Sequence, residues 1–181
     1  MLQFNKLSLS GFKSFVESTE LLIELGLTGI VGPNGCGKSN LVEALRWVMG
    51  ETSAKQMRSG EMDDVIFGGS ANRPPIGMAE VVLSFENSAG KAPAEYAEYA
   101  EIEICRRLYR SGESEYLINK SPVRLKDVSD FFRDTGVGAK GHTIVEQGKV
   151  AEVVSAKAED RRLLIEEAAG IAKYKARRRE A

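Results

Sequence analysis

Cysteine and histidine are almost missing from this 181-residue chain, which carries two of the first and one of the second. Cys36, Cys105 and His142 are too few for a zinc site. A structural disulfide does not suit the reducing cytoplasm in which the chain is expected to work, so both thiols read as reduced and inert. No apolar run approaches the roughly 20 residues that a membrane-crossing helix needs. The amino terminus also lacks the zones of a cleaved signal peptide, so no membrane partner is expected and the cytoplasm is the expected compartment. Net charge is scarce too: 25 Lys and Arg against 26 Asp and Glu leave −1. The chain as a whole is therefore no electrostatic magnet for DNA, and any nucleic-acid contact has to come from local patches. A hydrophobic content of 43% with 28% charged residues is that of a globular domain long enough to bury a substantial core.

What is present is one strong motif. Gly32-Pro33-Asn34-Gly35-Cys36-Gly37-Lys38-Ser39 fits the spacing Gly-x-x-x-x-Gly-Lys-Ser, follows the apolar run Gly29-Ile30-Val31 and feeds a helical pattern that begins near Asn40. The glycines let successive N–H groups turn inward as an anion-binding nest. The helix start adds its free N–H groups and the positive end of its dipole. In that setting Lys38 reaches phosphates as a point charge, and the Ser39 hydroxyl is a ligand for Mg²⁺. A chance glycine-rich turn is the bland alternative, and the apolar strand expected before the loop and the helix expected after it argue against that. Leu41, Val42, Leu45, Val48 and Met49 fall at helical spacing, and Gly50 is placed to close the helix.

The rest of the chain supplies weaker candidates. Leu7 and Leu9, then Leu21, Ile23 and Leu25, predict paired strands on either side of Gly11-Phe12-Lys13-Ser14-Phe15. Lys13 reads either as a solvated loop charge or as a lysine near the phosphates. The polar stretch 51–60 offers Arg58, either a surface arginine or a guanidinium that forks onto phosphate oxygens. Alternation at Ala79, Val81, Leu83 and Phe85, and again at Ile102, Ile104 and Leu108, predicts two more strands. Asn87 to Ala100 between them reads as an exposed connection under little constraint. A turn at Asn119-Lys120-Ser121 continues an antiparallel meander into a helix marked by Leu125, Val128, Phe131 and Phe132, ending at Thr135-Gly136. Arg124 and Lys126 are either a solvated pair or contacts to a phosphate backbone. Gln147, after the apolar Thr143-Ile144-Val145, is either an inert cap or a neutral oxygen ligand. Leu164, Ala168 and Ile171 carry the spacing of a helical seam that runs to the last residue.

These segments together resemble a known family. GFKSF, GPNGCGKSN with RWVMGE, DDVIFGGS, the SGESEYLIN and SPVRLKD pair, IVEQGKV and AEDRRLLIEEAAGIAKYKARRR are similar, in order, to the amino-terminal part of bacterial SMC chromosome-partition ATPases. The resemblance covers nearly the whole chain and is weakest between Asn87 and Ala100. It implies an α/β fold: the amino-terminal lobe of an ABC-type P-loop ATPase head, with an antiparallel meander and a mixed sheet around the P-loop helix. Residues 1–169 would form the lobe and 170–181 the start of a coiled-coil arm.

It also implies roles. Lys38 and Ser39 would be the Walker A lysine and the Mg²⁺ ligand, Gln147 a second Mg²⁺ ligand that helps hold the attacking water, and Arg58 an arginine reaching the phosphates from the same chain. Gly32 through Asn40, Lys13, Ser14 and the Asp63–Phe67 segment with Asp64 would surround ATP. Arg124 and Lys126 would touch the backbone of double-stranded DNA. The implied partners are the carboxy-terminal half of the same protein, a second head in a homodimer, and a kleisin-type subunit, and the implied setting is the nucleoid, where ATP drives head engagement in chromosome condensation and partition. Glu61 departs from the pattern, standing where relatives often carry lysine, and Cys36 replaces the commoner serine. A head of another ABC-type DNA-repair ATPase is the neighbouring alternative. A small-molecule P-loop kinase would need an arginine-rich lid that this sequence lacks.

Hydrolysis in such a head also needs an apolar strand ending Asp-Glu and a signature loop of the Leu-Ser-Gly-Gly kind. Leu163-Leu164-Ile165-Glu166-Glu167 and Val81-Val82-Leu83-Ser84-Phe85-Glu86 only imitate the first, because neither has the aspartate. The expectation is half of an ATPase head, hydrolysing ATP only when completed.

Overall fold

In a computed structural model, the chain is described at residues 2–53, 62–88, 90, 92–135, 155 and 162. Six strands form one sheet: β1 (Gln3–Ser10), β2 (Thr19–Leu22), β3 (Met78–Glu86), β4 (Glu101–Tyr109), β5 (Ser114–Ile118) and β6 (Ser121–Val123). Their spatial order is β2-β1-β3-β4-β5-β6, and every described pairing is antiparallel. The meander expected from the alternating segments is thus present, and the mixed part of the expected sheet is not seen among the described residues.

The register follows from the period of two that places alternate side chains on one face. Ala79, Val81, Leu83 and Phe85 of β3 are buried, as are Ile102, Ile104 and Leu108 of β4. At the tip between β5 and β6, Asn119 (φ 47°) and Lys120 (φ 65°) both take the left-handed conformation, which is the two-residue hairpin geometry that matches the twist of the strands.

Helix α1 (Lys38–Val48) packs on the apolar face of β3 and β4. Its buried side differs from the expected one by a small rotation. Leu41, Ala44, Trp47 and Val48 face the sheet with Met49 just beyond the helix end, whereas Val42 is on the outside and Leu45 is half-buried. Trp47 is large enough to claim the centre of the contact, and its ring lies 5.4 Å from that of Phe12. The helix ends as expected at Gly50, with φ of 106°. Gly50 N–H donates to Trp47 O at 3.1 Å and Glu51 N–H to Arg46 O at 3.1 Å, the paired bonds of a left-handed helix stop.

Helix α2 is described over Leu125–Thr135. Phe131 and Phe132 lie against Phe85 at 6.3 Å and 6.0 Å between ring centres.

Two expectations are corrected. Residues Gly29–Val31 form no strand, and this part of the chain stands in solvent: Leu25 is 81%, Leu27 100% and Val31 94% exposed. A strand needs a neighbour for its N–H and C=O groups, and no described segment lies alongside this one. The connection 87–100 is also more ordered than expected. Asn87 is buried; its Nδ2 donates to Tyr99 O at 2.8 Å and Ala97 O at 3.3 Å, and its Oδ1 accepts from Ala92 N–H at 3.0 Å. Tyr96, in a short 3-10 turn (Ala94–Tyr96), then sets its ring 5.7 Å from Phe131.

Candidate nucleotide site

The phosphate loop is built by backbone conformation. Gly35 (φ 82°) and Gly37 (φ 97°) are left-handed, a region where a side chain is strained. At Gly37 a Cβ would also sit 2.7 Å from Ser14 Oγ, so two separate reasons demand glycine there. Gly37 serves as the N-cap of α1 without a side-chain cap, and no acidic residue stands in the first turn. The unsatisfied N–H groups of a helix start are therefore left to a ligand, and anionic oxygens fit them. Lys38 lies across the loop, its Nζ donating to Gly32 O and Pro33 O, each at 2.6 Å, with Cys36 Sγ 3.8 Å away. Ser39 follows it, exposed. An ammonium, a hydroxyl and open N–H groups converge here, and that donor set fits a Mg²⁺-bound polyphosphate.

The Gly-Phe turn is brought against this loop. Asn40 Nδ2 donates to Ser14 Oγ at 2.8 Å, which ties the turn to the first residues of α1. Lys13 is left-handed (φ 49°), and its N–H donates to Val65 O at 2.7 Å. Its ammonium is ion-paired with Glu43 of α1, and the Lys13 side chain is 14% exposed. Of the two readings of Lys13, a solvated charge is excluded, and Glu43 is the partner shown. The pair joins the turn to α1 about a turn and a half beyond Lys38.

Residues 62–67 are stitched to the same turn. Phe67 N–H donates to Gly11 O at 2.9 Å, and Phe12 bridges Ile66. The 3-10 turn Met62–Val65 thus carries Asp64, exposed, to the neighbourhood of Lys13 and Ser14. Ser14 is thus bonded to the first turn of α1, and Lys13 to Val65, the residue that follows Asp64.

Arg124 and Lys126 are elsewhere. Both are exposed at the start of α2, where Asp127 Oδ2 accepts from Arg124 N–H at 2.8 Å. This start abuts the far end of α1, since a Cβ on Gly50 would meet Ser129 Oγ at 3.0 Å and Leu125 Cδ1 at 3.4 Å. An 11-residue helix spans about 16 Å, so the basic pair and the phosphate loop sit at opposite ends of α1. Arg58, Glu61, Gln147 and the seam Leu164, Ala168 and Ile171 lie outside the described residues, as does the proposed boundary at 169–170.

One residue missed in sequence stands out. Arg106 is in phase with Ile102, Ile104 and Leu108, so it enters the core while Arg107 turns out to Glu80. The signal was available as a cation in the inward register of an apolar strand.

The RecF/RecN/SMC N terminal domain family matches residues 3–140. The chain belongs to this family. Its sequence is 54% identical over 182 residues to the chromosome partition protein Smc of Myxococcus xanthus, covering 99% of this chain and 15% of that protein. The Smc of Coxiella burnetii is likewise 54% identical, over 96% of this chain. The chain thus spans about 15% of the length of these curated relatives.

Among solved structures, the Pyrococcus furiosus Smc head domain bound to the C-terminal domain of ScpA superposes with a TM-score of 0.87 at 36% identity, over 99% of this chain and 45% of that one. The SMC head domain of Thermotoga maritima gives 0.69 at 42% identity, over 86% and 51%. The fold is that of the amino-terminal part of an SMC head, an ABC-type ATPase architecture. The phosphate loop and the turn packed on it fall within the matched residues of the SMC N-terminal family. Among the described residues, no helix is long and apolar enough to cross a membrane.

Proposed function

We propose that this chain is the nucleotide-binding half of an SMC-type ATPase head, acting in chromosome condensation and partition on DNA. The observation that carries this is the uncapped start of α1, where Gly35 and Gly37 are left-handed, Lys38 bridges the loop and Ser39 is exposed beside it. Lys38 would bind the β- and γ-phosphates of ATP, the N–H groups of the loop would hold their oxygens, and Ser39 with Gln147 would hold Mg²⁺. When bound, Mg²⁺ offsets charge between the phosphates and orients them. Arg58 would bear on the γ-phosphate from the same chain, and Asp64 with the 63–67 segment would border the adenine.

The exposed segment ahead of the phosphate loop supports a reading in which partners cover it. The apolar, exposed residues Leu25, Leu27, Ile30 and Val31 run directly into the phosphate loop. Continuous apolar runs of this kind suit a strand buried on both faces of a sheet. A carboxy-terminal half would supply the adjoining strands together with the Asp-Glu pair that furnishes a general base. A second copy of the head would close over the γ-phosphate. Arg124 and Lys126 would meet the backbone of double-stranded DNA, and a kleisin-type subunit would complete the assembly in the cytoplasm, on the nucleoid.

The test is to co-express a carboxy-terminal SMC head segment with this chain, and to follow ATP binding by calorimetry and dimerisation by light scattering. ATP-dependent dimerisation is expected. Lys38→Ala should abolish ATP binding while the circular dichroism is unchanged, because Lys38 serves the ligand and not the core. Wild-type affinity in a folded Lys38→Ala head would overturn the reading.

A further inference from the structure

Arg106 is a cation inside the core. It is 2% exposed, and among the described residues it makes no ion pair with a carboxylate. Burying an unpaired charge is costly, and an apolar residue of similar volume at an inward position commonly leaves a fold as stable or more so. Its retention has to be sought in what the guanidinium touches. Nη1 donates to Trp47 O at 2.7 Å and to Glu51 O at 2.6 Å. The plane lies over the Trp47 ring, 4.5 Å from its centre, and 5.0 Å from that of Tyr116, its cross-strand neighbour on β5.

Trp47 O and Glu51 O belong to the last turn of α1 and to the stop that follows it. Carbonyls at a helix end carry the negative pole of the helix dipole and lack helical donors. Trp47 O takes its second bond, and Glu51 O its bond, from one buried guanidinium that is itself fixed to the middle of the sheet. A guanidinium plane held over the Trp47 ring and near that of Tyr116 has little freedom to follow a moving helix. The first turn of α1 is the phosphate site, and an α-helix of three turns transmits a displacement at one end to the other.

We propose that Arg106 is a positioning residue for the nucleotide site. By gripping the carboxy-terminal carbonyls of α1 it sets the axial position of the helix on the sheet, and so the reach of Lys38 and Ser39 at the other end. This rests on the reading of α1 as a phosphate-loop helix.

The test uses the chain co-expressed with a carboxy-terminal head segment, with Arg106→Met, Arg106→Lys and, as a control, Leu108→Ala. Leu108 is buried on the same strand but none of the described bonds joins it to the end of α1. Arg106→Met is expected to weaken ATP binding about tenfold. Arg106→Lys keeps the charge and a donor nitrogen but loses the guanidinium plane set over the Trp47 ring, so it should weaken binding about threefold. Leu108→Ala should leave affinity within twofold of wild type even though its melting temperature falls. Amide exchange at residues 49–53 should quicken in both Arg106 variants and not in the control. Unchanged affinity in a folded Arg106→Met head would overturn the proposal, as would equal loss in Leu108→Ala. If Arg106→Met fails to fold, Arg106→Lys carries the same comparison. If the wild-type head binds no ATP, the function proposed above fails. The exchange comparison then still decides the grip of Arg106 on α1, and unchanged exchange at 49–53 in Arg106→Lys overturns it.

Discussion

Residues 27–31 and residues 102–108 make an instructive pair. Both are short and carry residues that favour strands, Leu27, Ile30 and Val31 in the first and the alternating Ile102, Ile104 and Leu108 in the second, and by pattern alone both read as part of a sheet. The second is the inner row of β4, with Ile102 and Ile104 fully buried. The first stands in solvent, with Leu27 wholly exposed and Ile30 at 48%. The difference is the neighbour: β4 is paired on both sides, with β3 and with β5, whereas no described strand pairs with 27–31. An apolar pattern states what a segment needs, and only topology states whether this chain provides it.

The largest break of that comparison is functional. If the site needs chain segments that would cover 27–31, the chain alone should give no measurable ATP turnover. Loss of a positioned general base alone lowers rates by about 10² to 10⁴. Absence of the donors that a second head would aim at the γ-phosphate should lower them further. Phosphate release should therefore appear only when a carboxy-terminal half is added. Steady turnover by the chain alone, removed by Lys38→Ala so that a contaminant is excluded, would show that 27–31 can be left uncovered without loss.

A substitution pair sharpens the same point in energy. Ile104→Ala in the paired segment should cost about 2–5 kcal/mol in chemical denaturation, the usual range for emptying a packed site. Val31→Asp, at a position 94% exposed, should change the stability of the chain alone by no more than about 0.5 kcal/mol. The same Val31→Asp should abolish co-purification with a carboxy-terminal half, because a carboxylate would then have to be buried unpaired. A Val31→Asp chain that still assembles would place the partner surface somewhere else.

The 87–100 connection gives a smaller effect and a different lesson. Asn87→Ala removes one buried side chain and with it the bonds that hold the connection: those to the carbonyls of Ala97 and Tyr99 and from the N–H of Ala92. An intramolecular hydrogen bond contributes a net of about 0.5–1.5 kcal/mol, and the unfolding free energy should fall by an amount of that order, with faster exchange at Ala92. A loop under no constraint would show neither.

Much of this was legible in the sequence. The period-two rows of β3 and β4, the Asn119-Lys120 hairpin, the glycine stop of α1 and the phosphate loop are all local signals, and local chemistry dictates them. Three features were not legible, each because its cause is non-local. Asn87 looks like a loop asparagine until the backbone returns past it from residues 92–99. Lys13 reads either as a solvated charge or as a neighbour of the phosphates until Glu43, 30 residues away, turns inward on α1. The strand expected at 29–31 has the right residues and lacks a described neighbour. The candidate site divides in the same way: Ser14 is bonded to Asn40 at the loop's exit and Val65, next to Asp64, is bonded to Lys13, while Arg58 and Gln147 fall outside the described residues.

The smallest effect separates the two thiols, which again differ by surroundings. Cys36 is exposed in the phosphate loop, and Cys105 is buried on β4. Burial, then the nearby Glu80 carboxylate, pushes the Cys105 thiol up from 9.0 to about 12. At pH 8 an alkylating reagent attacks thiolate, so Cys36 should label in the folded chain and Cys105 only after denaturation. The pH dependence has a definite sign. In the unfolded chain Cys105 loses its proton near its ordinary value of 9.0, while in the folded chain it keeps it to about 12. Across that interval the folded state binds the extra proton, so stability is fully present below pH 9 and is lost as pH rises toward 12. Replacing Cys105 with Ala should flatten that part of the stability profile. Equal slopes in wild type and Cys105→Ala would mean that the buried thiol has no part in the alkaline loss.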